Sequence, residues 1–535
     1  MSERVHHNSS YLNGKSTCGT QTRVKDTSPS SGMCPICIRD CPFLCEISLS
    51  AFRGREAIYP EPVQYGDSTA GALKDFGIDW SHFNIQAGLF EAEGVEPNSD
   101  VAIFPNVSVE TKVAGIPLKL PLLTGAFGST EVGRKYWEGL AIGAALAGVI
   151  VTVGENVCGM DTEAKITSGK VTSSPELKRR IDLFRKFWDG KHGDIIVQTN
   201  VEDQRLGVDV YAISKLEVNI IERKWGQGAK AIGGEVRIRE IEKAKLLKQR
   251  GYIVIPDPED PNVQQAWKEG VFKSFERHSR VGIPKEKGFI EDIEWLRKQG
   301  AKHVSLKTGA YKPSAVAWTM KIASEAKIEE VTFDGAGGGT GMSPVPMMDE
   351  MSIPTVYLEA LVLRCAQMLK KKGRFVPDLV IAGGLISETQ IFKAMAMSNF
   401  GDGPFVKATL MARSPLTAVM KSNYFKQLAQ EGKLPKAFSD RYGNTPDKFF
   451  IATPELKAKY GTRFKEIPWE AVGLYGYLND RIGVGLMQLM AGARKWKLDL
   501  LDRNDLMALS ERASRVTGIP LAEDVEKDAI ERILQ

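Results

Sequence analysis

From residue 120 onward, the sequence repeats one local pattern eight times. A short apolar run, rich in β-branched residues, ends in glycine or a polar residue, and an amphipathic helical stretch follows most of these runs. Because buried strands that alternate with helices form a parallel sheet, eight such units predict an α/β fold with a closed (β/α)8 barrel of the TIM type. An open doubly wound sheet is the alternative. The predicted strands span 121–127, 148–155, 194–200, 217–224, 302–309, 329–335, 378–384 and 404–410, and the clearest helical patterns span 133–147, 356–372 and 388–398.

The predicted barrel occupies residues 119–415 and is interrupted once. The stretch 231–288 is long and charged for a connection between a strand and a helix, and it contains a helical pattern and a proline-rich turn. Insertions after barrel strands lie over the catalytic face, so we expect this one to cover the site. After the barrel, residues 416–535 form an extension. Its first part, to about residue 466, is predicted to be irregular and its last part helical.

The region before the barrel divides into two parts. Residues 1–32 are polar and lack an apolar segment, which predicts a mobile arm rather than a signal peptide. Residues 33–118 contain a cysteine-rich segment and a docking region that ends in a short hairpin at 107–121. The longest apolar run, 140–154, is too short to span a bilayer comfortably. A cytoplasmic location is therefore expected.

Charge and cysteine content exclude two broad classes. The net charge is +5, from 71 Lys and Arg against 66 Asp and Glu, which is too balanced to indicate a nucleic-acid-binding protein. Seven cysteines in 535 residues, an odd number, do not indicate a disulfide framework.

The carboxyl ends of the predicted strands carry small and polar residues, and these ends form the catalytic edge of a barrel. Small residues there let a flat ligand approach the backbone, and glycine-rich turns after late strands present N–H groups to a phosphate. A lysine suits the electron-rich edge of a reduced flavin. The bland alternatives are a flexible linker at 335–341, a surface lysine at 307 and a tight turn at 383–384. The marked positions are Thr124–Thr130, Gly154–Asn156, Gln198, Gly226–Lys230, Lys307, Asp334–Pro344, Gly383, Gly384 and Lys407–Arg413.

Five segments together resemble the FMN-binding central domain of glutamate synthase and the FMN-binding glutamate-synthase-like family. The pair formed by GQGAK and GGTGxSP is specific, and the likeness covers roughly residues 118–415. The segments are LLTGAFGSTEVGRKYWEGLAIGAALAGVIVTVGE, KWGQGAKAIGGEV, HVSLKTG, DGAGGGTGMSP and VIAGGL.

The resemblance implies a flavin that reduces 2-iminoglutarate, formed from 2-oxoglutarate and ammonia, by transferring hydride from its N5. Substrate-facing residues by matching position are Glu155, Gln227 and Lys230, with Lys230 a candidate for binding the carboxylate. Lys307 serves both the reaction and the flavin. The implied flavin-binding residues are Thr124, Gly125, Ala126, Gln198, Lys307, Asp334, Gly338, Gly339 and Thr340, with Gly383, Gly384, Ala408 and Thr409, in the segment up to 412, at the phosphate.

Several positions depart from the family pattern. The family carries an acidic residue or histidine just before GGTG, where this chain has Ala336 and Gly337. The family's PPPHHD stretch has no clean counterpart, and His278 is the nearest one, expected at the surface. The glutaminase domain of complete glutamate synthases is not recognisable before the barrel, so ammonia is expected to arrive free or from a separate glutaminase subunit.

The segment MCPICIRDCPFLCE places Cys34, Cys37, Cys41 and Cys45 within a dozen positions. Their C-x2-C-x3-C-x3-C spacing is more typical of iron–sulfur ligation than of zinc knuckles, and we expect a [4Fe–4S] cluster, with zinc or redox-active thiols as alternatives. Glutamate synthases bind a cluster just after the eighth strand, but residues 410–470 contain no cysteine here. The amino-terminal segment is expected to fold back and replace that site. The other cysteines, Cys18, Cys158 and Cys365, have no assigned role.

The sequence therefore predicts an iron–sulfur flavoenzyme of the glutamate synthase type, with ferredoxin or another protein as electron donor and an oligomer as one possible state. The alternatives are an N-methylglutamate-synthase-like enzyme, another FMN barrel oxidoreductase or isomerase, and an electron-relay subunit without its own substrate. The substrate is expected to be a small molecule of the 2-oxoglutarate or glutamate type.

Overall fold

The computed structural model describes residues 75–226, 232–338 and 343–535, and it confirms the predicted barrel. Eight parallel strands close in the order β4-β5-β8-β9-β13-β14-β15-β16, and β16 pairs with β4 through Leu410 and Leu123. This closure excludes the open sheet. The strands in the described residues are β1 (Phe83–Ile85), β2 (Thr111–Val113), β3 (Ile116–Leu118), β4 (Leu122–Gly125), β5 (Ile150–Thr152), β6 (Lys165–Thr167), β7 (Lys170–Ser173), β8 (Ile195–Thr199), β9 (Ile220–Lys224), β10 (Glu235–Ile238), β11 (Ile253–Ile255), β12 (Phe275–His278), β13 (His303–Gly309), β14 (Glu330–Asp334), β15 (Asp378–Ala382), β16 (Val406–Met411) and β17 (Leu506–Ala508).

Helices follow most barrel strands, and a helical extension follows the last one. Short 3₁₀ segments occur as well, and a π-helix covers Gly476–Gly483. The α-helices of the described part are α1 (Glu131–Ala147), α2 (Val157–Met160), α3 (Pro175–Arg185), α4 (Val201–Leu206), α5 (Val208–Leu216), α6 (Ile241–Gln249), α7 (Pro261–Lys268), α8 (Glu286–Lys298), α9 (Pro313–Glu325), α10 (Val345–Glu350), α11 (Thr355–Lys371), α12 (Glu388–Met397), α13 (Arg413–Gln430), α14 (Lys436–Tyr442), α15 (Pro446–Phe449), α16 (Thr453–Tyr460), α17 (Trp469–Tyr475), α18 (Val484–Gly492), α19 (Glu511–Thr517) and α20 (Lys527–Leu534).

The lower half of the barrel interior is apolar and closed. Side chains such as Ile150, Ile196 and Ile220 form one buried cluster, which also contains Val113 and Leu118 of the β2–β3 hairpin. The hairpin is anchored at the amino-terminal ends of the strands, where the Ala114 N–H donates to Asp378 at 2.8 Å. Burying each such side chain contributes about 1.5–3 kcal/mol. This plug leaves the carboxyl edge as the open end of the barrel.

The insertion after β9 is a small subdomain over that edge, as predicted. Its strands β10, β12 and β11 form an antiparallel sheet, and α6 lies in the helix predicted within it. Two contacts bind it to the loop after β5: Tyr252 Oη donates to Asn156 Oδ1 at 3.2 Å, and Asn156 Nδ2 donates to Ser279 Oγ at 3.3 Å. The insertion therefore forms part of the site rather than a separate unit.

Two predictions about the carboxyl-terminal extension were wrong. The stretch 414–466, expected to be irregular, contains α13 to α16, because its glycines and prolines separate short helices rather than prevent them. The last part of the extension, expected to be helical, contains β17 between residues 502 and 516, before α19 begins. Its apolar residues are used in pairing with β1, where Phe83 faces Ala508.

Residues 75–118 dock on the extension and on the outside of the barrel. The Gly88 N–H donates to Gly492 at 2.9 Å, and the Trp496 N–H donates to Glu93 at 2.8 Å. Tyr357 Oη, in the first turn of α11, donates to the Phe76 carbonyl at 3.2 Å. Since α11 begins near the carboxyl edge, the described chain starts close to that edge. Among the described residues, none of the helices has both the length and the apolarity that crossing a bilayer requires.

Candidate functional site

The upper half of the barrel interior is polar and charged. Strand alternation directs Gln198, Glu222, Lys224, Lys307 and Asp334 inward, and all five are buried or nearly so. Lys307 Nζ lies 3.7 Å from Asp334 Oδ2, and Lys224 Nζ lies 3.9 Å from Glu155 Oε2. Charges this deep are uncommon unless a ligand or a counter-charge uses them. This is the region in which sequence reasoning placed the site.

Lys307 is buried in this interior, with 3% of its surface exposed. A surface lysine is therefore excluded. Its neighbour on β9, Lys224, is equally enclosed, and burial lowers the pKa of that ammonium group. Lys224 was not predicted as a site residue. The available signal was strand alternation, which places it on the same face of β9 as Glu222.

The first two strand ends adopt strained backbone conformations. Ala126 has φ +71° and Asn156 has φ +64°, in the left-handed region that L-residues rarely adopt. Such strain collects at ligand-binding turns. Gly125 also has positive φ, +107°, and a Cβ there would overlap the Thr152 carbonyl. The loops after β4 and β5 thus lie against each other and leave a backbone-lined ledge.

Thr124 does not face the interior as predicted. Its neighbour Leu123 belongs to the interior cluster, whereas Leu122 belongs to the outer core, so alternation turns Thr124 outward. Its hydroxyl lies 3.5 Å from the Ile150 carbonyl. Only the backbone of Thr124 is left to contact a ligand in the barrel.

The glycine-rich loops after β14 and β15 are packed against each other. Thr355 Oγ1, at the start of α11, donates to the Gly383 carbonyl at 2.8 Å. A Cβ on Gly383, which has φ +121°, would overlap that hydroxyl and lie 2.8 Å from the Gly335 carbonyl. A Cβ on Gly338 would lie 2.6 Å from Asp334 Oδ1. These loops are structured here, so the linker interpretation is wrong for the described residues 335–338.

The eighth strand extends one residue further than predicted, to Met411, and this moves the edge. Ala408 lies in the lower interior cluster, and Thr409 alternates to the outer side, so neither is at the rim. The rim residues are Ala412 and Arg413, which begin α13. Burial lowers the pKa of Arg413, and Asp334 attracts its charge. No side chain of the described residues caps the amino end of α13, and helix amino ends attract anions.

Arg277, on β12 of the insertion, was missed by the sequence analysis. Its guanidinium is 1% exposed and lies with its carbon 5.1 Å from the centre of the Tyr252 ring. It donates to Ser279 Oγ at 2.7 Å and to Ser129 Oγ at 3.4 Å, and its Nε has no hydrogen-bond partner in the described part of the chain. A buried guanidinium bonded only to hydroxyls is suited to binding an anionic group. His278, in the same segment, was expected at the surface. Its side chain is only 18% exposed and is hydrogen-bonded to Glu276.

A cleft lies between the barrel and the insertion, and Glu155 and Lys224 are among the residues that line it. Arg280 at its mouth is already paired, donating to Glu202 at 2.9 Å. The cleft is lined by Glu155, Asn200, Val201, Lys224, Trp225, Gly226, Gly233, Gly234, Arg280, Val281 and Gly282.

Several predicted site residues lie outside the described residues. These are Gln227, Lys230, Gly339, Thr340 and the cysteines Cys34, Cys37, Cys41 and Cys45. The described residues contain no group of three or more His, Cys, Asp and Glu side chains able to hold a metal ion. Cys158 is fully buried and burial raises its pKa, as expected of an inert thiol.

Comparison with known proteins gives one family match and several structural likenesses. Residues 275–409 match the family described as "Conserved region in glutamate synthase", which confirms the resemblance inferred from the sequence, from β12 to β16. No curated protein matches the chain in sequence. Solved structures with a similar fold include the monotopic membrane protein (S)-mandelate dehydrogenase, at 14% identity and TM-score 0.39, covering 80% of this chain and 89% of that chain. A flavocytochrome b2 variant with sulfite bound has 11% identity and TM-score 0.43, covering 85% of this chain and 82% of that chain.

Proposed function

Because residues 275–409 carry the conserved region of glutamate synthase, we infer that this protein is an FMN-dependent oxidoreductase that reduces an imine of a 2-oxo dicarboxylic acid to an amino acid. The reference reaction is glutamate formation from 2-oxoglutarate and ammonia. The observation that carries this proposal is the position of Lys307, buried at the open end of the barrel between glycine loops on one side and the charged cleft on the other.

The described residues fit FMN at both of its ends. A phosphate fits at the uncapped amino end of α13, beside Arg413 and the Gly383–Gly384 turn. A flat ring fits over Lys307 and Gln198, along the ledge made by Gly125 and Ala126. Bound there, FMN would supply hydride to the substrate, and Lys307 would stabilise negative charge on the reduced ring.

Two cations, one in the cleft and one behind it in the insertion, are proposed to select a dianionic substrate. Arg277 offers a guanidinium whose side-chain hydrogen bonds go to serine hydroxyls, and Lys224 offers an ammonium group two residues after Glu222 on β9. Two separated cations of this kind favour a dicarboxylate over a monocarboxylate. Glu155, 3.9 Å from Lys224 Nζ, lies where it can orient the imine nitrogen or exchange its proton. Lys230, as the family implies, remains part of this proposal.

The cysteine segment is proposed to bind a [4Fe–4S] cluster that carries electrons from a donor such as ferredoxin to FMN. Its spacing supports this, and so does the point at which the described chain begins. The Phe76 carbonyl accepts a hydrogen bond from Tyr357 at the start of α11, so the described chain begins near the carboxyl edge, where the flavin is proposed to bind. A separate glutaminase subunit would be one source of ammonia.

A direct assay tests the function. We expect purified protein to release FMN on denaturation and, with reduced methyl viologen, to convert 2-oxoglutarate and ammonia to glutamate. Replacing ammonia by methylamine would distinguish an N-methylglutamate-forming enzyme. A protein that cannot be reconstituted with FMN would contradict the cofactor, and one that binds FMN but reduces none of these imines would contradict the substrate.

A further inference from the structure

Directly below Lys307, the barrel interior contains two glutamates on either side of one serine. Glu222 on β9 and Glu330 on β14 both occupy the register position of Ser305, which lies on the strand between them. Glu222 is 0% and Glu330 is 1% exposed. Neither residue was selected from the sequence, and the proposed reaction does not use them.

The hydrogen bonding of Glu222, Ser305 and Glu330 is incomplete unless one of the carboxyl groups is protonated. Gln198 donates its amide to Glu222 Oε1, and Thr332 donates to Glu330 Oε1 at 2.6 Å. The second oxygens, Glu222 Oε2 and Glu330 Oε2, have no hydrogen-bond partner among the described residues, and Ser305 Oγ has none either. Unpaired buried acceptors each cost about 1–3 kcal/mol, so a carboxyl proton that turns one acceptor into a donor is favoured.

The surrounding charges favour a single shared proton over full ionisation. Burial is the main effect that raises the pKa of both carboxyls, and for Glu330 the repulsion by Glu222 adds to it. Lys307 attracts both carboxylates, and Lys224 attracts Glu222. Asp378, on β15, repels Glu330, and Glu155, after β5, repels Glu222. Two buried carboxylates that flank the same residue and repel each other cannot both ionise at low cost.

From this arrangement we propose that Glu222 and Glu330 share one proton at neutral pH, and that they take up a second proton when a flavin bound above Lys307 is reduced. The second half rests on the proposed function. A flavin that accepts two electrons from reduced viologen and one proton at N5 gains one negative charge, which Lys307 attracts. Lys307 then neutralises Glu222 less, and Glu222 accepts a proton from solvent, so the interior keeps its net charge.

Proton uptake during reduction tests the coupling. In weakly buffered solution with a pH indicator, we expect two protons per two electrons entering the flavin of the wild-type protein. Glu222→Gln, which keeps the shape of the side chain, should take up one. The control is Glu359→Gln: Glu359 on α11 is also fully buried with both oxygens unpaired, but it lies outside the barrel interior, so uptake should stay at two. If Glu222→Gln does not fold, the double variant with Glu330→Gln serves the same purpose.

The shared proton has a separate test that needs no flavin. Infrared spectra of flavin-free protein labelled with ¹³C-glutamate should show protonated carboxyl bands at neutral pH, one of which Glu330→Gln removes, while Glu359→Gln removes a different band, because Glu359 is also buried and unpaired. The proposal would be overturned if Glu330→Gln removed no band, if the wild-type protein took up one proton, or if Glu222→Gln still took up two. If no flavin binds, the proposed function fails, and the infrared result still decides whether the glutamates share a proton.

Discussion

The backbone N–H of Asn156 donates a 2.8 Å hydrogen bond to Asp203 Oδ2, and this bond connects the strained turn after β5 to helix α4. Asn156 adjoins Glu155 and also contacts the insertion through Tyr252 and Ser279. Asp203 is fully buried, and burial raises its pKa to about 7. One buried carboxyl group therefore holds the turn that presents Glu155 to the cleft.

This carboxyl predicts a pH dependence of stability. Between its unfolded pKa of about 3.9 and its folded pKa of about 7, the folded protein binds a proton that the unfolded chain does not, so its contribution to stability is lost as pH rises through this window. We expect the unfolding free energy of Asp203→Asn, measured with denaturant from pH 5 to 8, to fall less with pH than that of the wild type. The exposed Asp182→Asn should follow the wild type, and parallel curves for Asp203→Asn would contradict the assignment.

Replacing Lys307 by Met should lower the flavin reduction potential. The substitution keeps the side-chain length but removes the cation that stabilises the reduced ring, and a loss of about 1.4 kcal/mol corresponds to roughly 30 mV for a two-electron couple. Spectroelectrochemical titration measures the shift. Lys302→Met, at an exposed lysine just before the same strand, should leave the potential unchanged. A potential equal to that of the wild type would mean that Lys307 does not face the flavin.

Arg277→Lys should weaken substrate binding more than flavin binding. Losing the planar guanidinium removes a charge-assisted hydrogen bond worth about 1.5–3 kcal/mol, which corresponds to a rise in KM for 2-oxoglutarate of roughly 10- to 100-fold. Steady-state kinetics and an FMN titration separate the two effects. Arg297→Lys, whose guanidinium pairs with Glu329 outside the barrel, is the matched control. Equal losses of both ligands in Arg277→Lys would indicate a structural role.

Gly383→Ala should reduce FMN affinity at least tenfold and lower the melting temperature. The new methyl group would overlap Thr355 Oγ1, and φ +121° adds strain of about 1–3 kcal/mol. Gly403→Ala provides the control, because Gly403 also has positive φ, +87°, but a Cβ there meets nothing within 4 Å. Flavin binding by fluorescence quenching should distinguish them. Similar FMN affinities in both variants would show that the Gly383 turn does not contribute to the phosphate site.

Cys41→Ser should abolish iron–sulfur absorbance and donor-dependent turnover while FMN stays bound, since the proposed flavin contacts come from the barrel. Visible spectra with iron and flavin quantification measure both. Cys365→Ser is the control. Cys365 is half-buried on α11, and its replacement should leave the cluster in place. Full viologen-driven activity in Cys41→Ser would make the four thiols structural and would favour zinc.

The barrel was predictable because its strands repeat a local signal, and the residues at their ends were predictable where the strand ended as expected. Lys307, Glu155 and Gly383 were found this way. The prediction failed for Ala408 and Thr409, since β16 runs one residue further than predicted and its end lies beyond both of them. Arg277 was missed because it comes from the inserted sheet, and tertiary contacts such as those from Ser279 to Asn156 and from Arg277 to Ser129 bring it to the barrel. Pairs such as Glu222 and Glu330 depend on register between strands that are distant in sequence.

The pairing of β1 with β17 also has a consequence for biosynthesis. Gln86 bonds to the carbonyl of Asn504, 418 positions later. A ribosome adds about 5–20 residues per second, so the partner of the early segment emerges roughly 20 to 80 s after it. During that interval residues 83–85 have an unpaired strand edge, and the docking of 75–118 is completed only after the barrel has been translated.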